Sequence, residues 1–145
     1  MKICMIGTGY VGLVSGTCLA ELGNDVICVD KDKNKIENLK IGKIPIFEPG
    51  LEELIINNSK KKTLKFSTNI NKSIKNSNII FICVGTPTNN KTYNAELKYV
   101  YQVARTIKKN LNNYKIIVNK STVPITSGDK IEKILTSKKN KKNFD

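Results

Sequence analysis

At 145 residues the chain holds one domain's worth of sequence, and a chain of that size buries about two-thirds of its unfolded surface. Its apolar runs fall short of the ~20 residues a membrane span requires, and no basic segment with an apolar core and cleavage site opens it, so a cytoplasmic protein without a membrane partner is expected. The net charge of +13 comes from lysines spread along the chain without interleaved stacking aromatics, which disfavours a nucleic-acid partner; Lys60-Lys61-Lys62 and Lys138-Lys139-Asn140-Lys141-Lys142 read as a solvated loop and terminus.

The first predicted strand, residues 2 to 6, runs into Gly7-Thr8-Gly9-Tyr10-Val11-Gly12 and a helix over 10 to 22. Gly7 permits the tight turn, Gly9 lets backbone amides approach a pyrophosphate, and Gly12 lets the helix pack on the strand. A diphosphate would sit on free N–H groups at the positive end of the helix dipole, so the loop needs no lysine, and none occurs between Ile3 and Glu21. The second strand, 25 to 30, ends in Asp30, whose carboxylate can accept hydrogen bonds from an adenosine ribose and repels a 2′-phosphate. NAD is therefore expected over NADP. A glycine turn alone also fits a plain strand-to-helix corner; the first strand, a helix ended by Gly23-Asn24 and the acid at the right distance favour dinucleotide binding.

A helix over 32 to 40 follows, then the loop Ile44 to Leu54, in which Pro49 stands at or near the start of a helix over 51 to 57. Strand 63 to 67 and helix 69 to 75 lead to Asn78-Ile79-Ile80-Phe81-Ile82-Cys83-Val84, nearly all apolar as a central strand should be. Its continuation Gly85-Thr86-Pro87-Thr88 belongs beside the glycine turn, because ligands in such sheets bind beyond the carboxyl ends of the strands. Helix 95 to 110, strand 115 to 119, the loop Lys120-Ser121-Thr122-Val123-Pro124 and helix 127 to 136 complete an alternating series. The series predicts an α/β, doubly wound parallel sheet, a Rossmann-type dinucleotide-binding domain over 1 to 145. Cys4, Cys18, Cys28 and Cys83 lack zinc-site spacing and read as small core residues in a reducing compartment. The tail regains an apolar residue at Phe144, where another strand would begin, which suggests a truncated protein.

Together these loops resemble the N-terminal domain of the UDP-glucose/GDP-mannose dehydrogenase family over essentially the whole chain. The resemblance rests on Gly7 to Val14, Val29-Asp30, Pro45-Ile46-Phe47-Glu48-Pro49-Gly50-Leu51, Val84 to Thr88 and Lys120 to Pro124. It implies that the backbone at Tyr10 and Val11 holds the NAD pyrophosphate, that Asp30 holds the ribose and that Lys35 is a further cofactor contact. Thr86 and Thr122 match positions lining the cofactor near the reacting centre, and Thr122 also helps orient a catalytic water. On the residues alone, each threonine reads as a hydroxyl completing a turn.

The implied reaction oxidises the 6-hydroxymethyl of UDP-glucose, or of a related nucleotide sugar, to a carboxylate in two steps, with two NAD accepting the hydrides. A cysteine captures the intermediate aldehyde. In the family that cysteine, with a lysine and an asparagine, lies beyond this domain, and none of Cys4, Cys18, Cys28 or Cys83 matches it. The fragment is thus expected to be inactive alone and the full-length enzyme a homodimer. After Val123-Pro124 the run Ile125-Thr126-Ser127-Gly128 departs from the family's small residue followed by threonine. The alternatives are a GDP-mannose or UDP-N-acetylhexosamine dehydrogenase domain, or a stand-alone NAD-binding module.

Overall fold

Successive residues of a strand point to opposite faces, and in β1 (Lys2–Ile6) both faces are apolar. Ile3 and Met5 join one core cluster while Cys4 and Ile6 join another, none more than 4% exposed. Such a strand belongs in a parallel sheet covered on both sides. The computed structural model describes residues 1–88, 93–136 and 143–145, so the run Lys138 to Lys142 lies outside the described residues.

With β2 (Asp25–Val29), β3 (Leu64–Ser67), β4 (Ile79–Ile82) and β5 (Ile116–Asn119), β1 forms a five-stranded sheet in the order β3-β2-β1-β4-β5, every pair parallel. The Ile3/Met5 face is covered by Leu13 of α1 (Tyr10–Glu21), Ile36 and Leu39 of α2 (Lys33–Lys40) and Leu51 and Ile55 of α3 (Leu51–Lys60). The opposite face is covered by Ile74 of α4 (Ile70–Lys75), Val100, Ala104 and Ile107 of α5 (Lys98–Asn110) and Ile131 and Leu135 of α6 (Ser127–Leu135). This is the doubly wound α/β fold expected from the alternation of elements. The chain winds outward from β1 to β3, then returns to the other side of β1, and a crevice opens at that reversal beyond the carboxyl ends. Register sets Ile6 level with both Val29 and Ile82, so Gly7, Asp30 and Cys83 emerge together.

Three elements end or begin two or more residues from expectation, for identifiable reasons. The central strand pairs only through Ile82, because β1 ends at Ile6 and offers no further partner. Helix α5 begins at Lys98 rather than near 95, since Ala95 is held extended in an antiparallel bridge to Thr88. Helix α3 runs on to Lys60 because buried Asn58 satisfies its amide on Leu54 O at 2.8 Å and Glu21 Oε2 at 2.6 Å. Pro49 does precede that helix, whose N-cap is Gly50 at φ +78°.

Cys18 corrects the reading of four core cysteines. Helix α1 buries Leu13, Thr17 and Ala20, and Cys18 points away from that face, exposed and free. Lys115 departs from expectation in the other direction. Its side chain is fully buried, with Nζ donating to Ser77 O at 2.6 Å just beyond α4 and to Lys75 O at 3.4 Å in its last residue, and burial lowers its pKa. Phe144 pairs in parallel with Lys115, outside β5.

Candidate functional site

The turn after β1 is built around what its glycines lack. Gly7 has φ +104°, and a β-carbon there would stand 2.5 Å from the Cys83 carbonyl oxygen. At Gly12 a β-carbon would lie 2.0 Å from Gly7 O and 3.0 Å from Cys83 Cβ, so the first turn of α1 lies directly on the strand ends. Gly9, the N-cap of α1, is different: nothing lies within 4 Å of its virtual β-carbon. Its missing side chain opens space in front of the helix rather than relieving contact behind it. The N–H groups of Tyr10, Val11 and Gly12 occupy the helix positions that lack intrahelical acceptors, and no acidic residue sits in that first turn to compete with an anion.

Asp30 is fixed to this turn. Thr8 donates its N–H to Asp30 Oδ2 at 3.0 Å and its Oγ1 hydroxyl to the same oxygen at 2.8 Å, while Asp32 N–H donates to Oδ1 at 3.1 Å. Lys35, in the first turn of α2, brings Nζ to 3.4 Å from Oδ2. Burial pushes the carboxyl up, but the hydrogen bonds from Thr8 and Asp32 and the Lys35 charge outweigh it and hold Asp30 below its ordinary value. The result is an acceptor that is ionised at neutral pH. A carboxylate oxygen accepts more than one hydrogen bond, so Oδ1 keeps capacity toward a ligand hydroxyl.

The loops after β4 and β5 are tied together at the same end of the sheet. Thr86 Oγ1 donates to Thr122 O at 2.8 Å, and Ser121 Oγ donates to Val84 O at 2.8 Å. A cleft of 480 Å³ runs beneath these elements, and Gly7, Gly9, Asp30, Lys35, Gly85 and Pro87 are among its lining. Of the residues expected at the site, Gly7, Gly9, Asp30 and Lys35 thus border the cleft directly. Tyr10, Val11 and Gly12 open the helix beside it, Thr86 stands between two lining residues without lining the cleft itself, and Thr122 lies outside the lining with its backbone carbonyl accepting from Thr86. Among the described residues no group of acidic, cysteine or histidine side chains could hold a metal ion.

The sequence profile of the UDP-glucose/GDP-mannose dehydrogenase family, NAD binding domain, matches residues 1–145. The chain belongs to the UDP-glucose/GDP-mannose dehydrogenase family. It is 52% identical over 145 residues to the UDP-glucose 6-dehydrogenase TuaD of Bacillus subtilis, covering 99% of this chain and 31% of that protein. It is 50% identical over 135 residues to the UDP-glucose 6-dehydrogenase of Rhizobium meliloti, covering 93% and 31%. The fold matches a ternary complex of GDP-mannose dehydrogenase from Pseudomonas aeruginosa with a TM-score of 0.90 at 34% identity, covering 100% of this chain and 35% of that one. The chain thus spans about a third of the length of these dehydrogenases.

Seen as the NAD-binding domain of this family, the site contains residues that the sequence did not single out. Thr8, fully buried, is the donor that orients Asp30. Gly16 continues the close approach begun by Gly12, since a β-carbon there would meet Cys28 Sγ at 2.7 Å; its spacing of one helical turn from Gly12 was the available signal. Ser121 joins the two threonine loops a second time, beside the bond from Thr86 to Thr122 O. Cys83 borders the cleft, but burial pushes its thiol up to about 11, and burial together with Cys83 pushes Cys4 to about 12, so neither is a thiolate at neutral pH. No helix among the described residues is long and apolar enough to cross a membrane.

Proposed function

We propose that this chain is the cofactor-holding unit of a nucleotide-sugar 6-dehydrogenase that oxidises UDP-glucose to UDP-glucuronate at the expense of two NAD. The observation that carries the reading is the pairing of an unobstructed helix N-terminus at Gly9 with a carboxylate locked at Asp30 by Thr8. The first suits a diphosphate and the second a ribose diol. The amides at Tyr10 and Val11 would hold the diphosphate, Asp30 and Lys35 the ribose, and Thr86 and Thr122 the reacting end, with Thr122 orienting a water. When bound, NAD supplies the hydride acceptor. Gly7 and Gly12 keep the helix close enough for its amides to face the ligand, and their virtual β-carbon clashes support that assignment.

The thiol that captures an aldehyde is assigned to sequence that the longer relatives carry and this chain does not, in keeping with the protonated state of Cys4 and Cys83. A homodimeric, cytoplasmic enzyme without a nucleic-acid partner completes the proposal, and free buried thiols at Cys4, Cys28 and Cys83 support a reducing compartment. The likeness to a GDP-mannose dehydrogenase favours one second reading, in which the sugar nucleotide is GDP-mannose or a UDP-N-acetylhexosamine.

Calorimetric titration with NAD and NADP at moderate salt tests the cofactor assignment. NAD binding with clear preference over NADP is expected, and a folded chain that binds neither overturns it. Rates with UDP-glucose, GDP-mannose and UDP-N-acetylglucosamine, in a protein of the relatives' length carrying this domain, separate the two substrate readings. Turnover by the 145-residue chain alone would contradict the division of labour.

A further inference from the structure

The ribose end of the cleft contains a feature that the glycine turn does not account for. Lys31, immediately after Asp30, carries its ammonium over the Tyr99 ring, with Nζ 5.0 Å from the ring centroid. Lys31 follows β2 and Tyr99 stands in the first turn of α5, and both line the cleft, so the contact joins its two walls. The apolar side chains of Ile70, Val84 and Val103 line the same cavity. Tyr99 is 38% exposed beside the buried Val100 and Val103, which leaves ring surface available to a ligand. An apolar slot with an aromatic face, next to a ribose acceptor, has the chemistry of a site for a planar heterocyclic base.

We propose that Tyr99 is the stacking platform for the base of the dinucleotide and that Lys31 is a positioning residue that holds the Tyr99 ring in place. The proposal rests on the cofactor reading above and extends it to the base, which neither the glycine turn nor Asp30 contacts. Stacking a base on an aromatic side chain changes affinity by about 5- to 100-fold. An exposed cation–π contact, acting only through the ring, changes it by about 2- to 5-fold.

Adenosine is the discriminating probe, because it carries base and ribose without a phosphate for Lys31 to attract. Adenosine and NAD are titrated against the wild type, Tyr99→Phe, Tyr99→Leu and Lys31→Met, with ligand-free thermal midpoints as the folding control. The expected result is a loss of about tenfold for both ligands in Tyr99→Leu, retention within about twofold in Tyr99→Phe, and a loss of about threefold for both in Lys31→Met. Wild-type adenosine affinity in Tyr99→Leu overturns the proposal, as does a Tyr99→Phe loss as deep as that of Tyr99→Leu. A Lys31→Met loss confined to NAD overturns it too, since Lys31 would then act on phosphates. If Tyr99→Leu does not fold, the exposed Lys31→Met still decides with adenosine. A wild type that binds NAD while Tyr99→Leu binds adenosine unchanged removes this proposal alone, whereas a wild type that binds neither ligand removes the cofactor reading beneath it.

Discussion

Thr8 and Asp30 meet at a single oxygen: both the N–H and the hydroxyl of Thr8 donate to Asp30 Oδ2, at 3.0 and 2.8 Å. The glycine turn and the end of β2 are thereby one rigid unit, with the carboxylate aimed before any ligand arrives. Removing the hydroxyl in Thr8→Val should weaken NAD binding by about tenfold, the scale of a hydrogen bond to a charged group. Thr8→Ser should retain most of the affinity. Titration calorimetry on the three proteins checks this, and equal affinities would mean that Asp30 needs no orientation.

The glycines of the turn should fail in two distinct ways. Gly12→Ala places a methyl 2.0 Å from Gly7 O and should destabilise the fold by about 3 kcal/mol or more, because the Gly7 backbone on one side and Cys83 Cβ on the other leave no room to repack. Gly9→Val meets open space, so the protein should melt near the wild-type temperature yet lose NAD binding. Thermal melts paired with titrations separate the two outcomes.

Acid should act on Asp30. Its folded-state pKa lies below the ordinary 3.8, so its contribution to stability is fully present above that value and is lost as pH falls through the lower folded-state value. Urea midpoints measured from pH 5 downward should fall more steeply for the wild type than for Asp30→Asn, which has no proton to take up. Parallel curves would show that the hydrogen bonds from Thr8 and Asp32 do not favour the ionised form.

Thiol chemistry should distinguish the cysteines. Cys18 is exposed, while Cys4, Cys28 and Cys83 are buried and burial raises the pKa of each. A thiol reagent at neutral pH should therefore modify one cysteine rapidly in the native protein, and Cys18→Ser should abolish that phase. Rapid labelling of Cys83 would show that the cleft opens more widely than its geometry indicates.

Ser121→Ala should loosen the two threonine loops. Its hydroxyl donates to Val84 O at 2.8 Å, a contact worth about 1 kcal/mol, and its loss should lower both the melting temperature and NAD affinity modestly. An unchanged NAD affinity would place those loops outside the cofactor site.

The glycine turn was legible because its constraints are local. Gly7 and Gly12 lie within one strand-to-helix corner, where crowding is set by a few consecutive residues. Asp30 was legible by its distance along the chain, but Thr8 was not, because nothing in a threonine between two glycines announces a partner 22 residues away. Alternation of apolar runs revealed the doubly wound sheet, since each buried element must carry its own apolar face. Cys18 was misread because composition places cysteine inside, and only the rotation of α1 on the sheet decides which face is buried. Tyr99 lacked any sequence signal, and Ser121 lay inside the Lys120 to Pro124 motif without a role of its own, since what each does depends on elements that converge only after the strands have paired.

Lys115, just before β5, reaches the end of α4 and the residues after it through the Lys75 and Ser77 carbonyls, which accept from its buried ammonium. Strands at the margin of a sheet ordinarily fray first, at little cost. Fraying of β5 would exchange these carbonyls for water around the Lys115 ammonium, and β5 itself runs from exposed Ile116 to half-buried Asn119 with no fully buried residue to hold it. Hydrogen exchange along β5 is therefore expected to run ahead of that along the buried β1, so the strand that carries the Thr122 loop is a looser support than the one that carries the glycine turn.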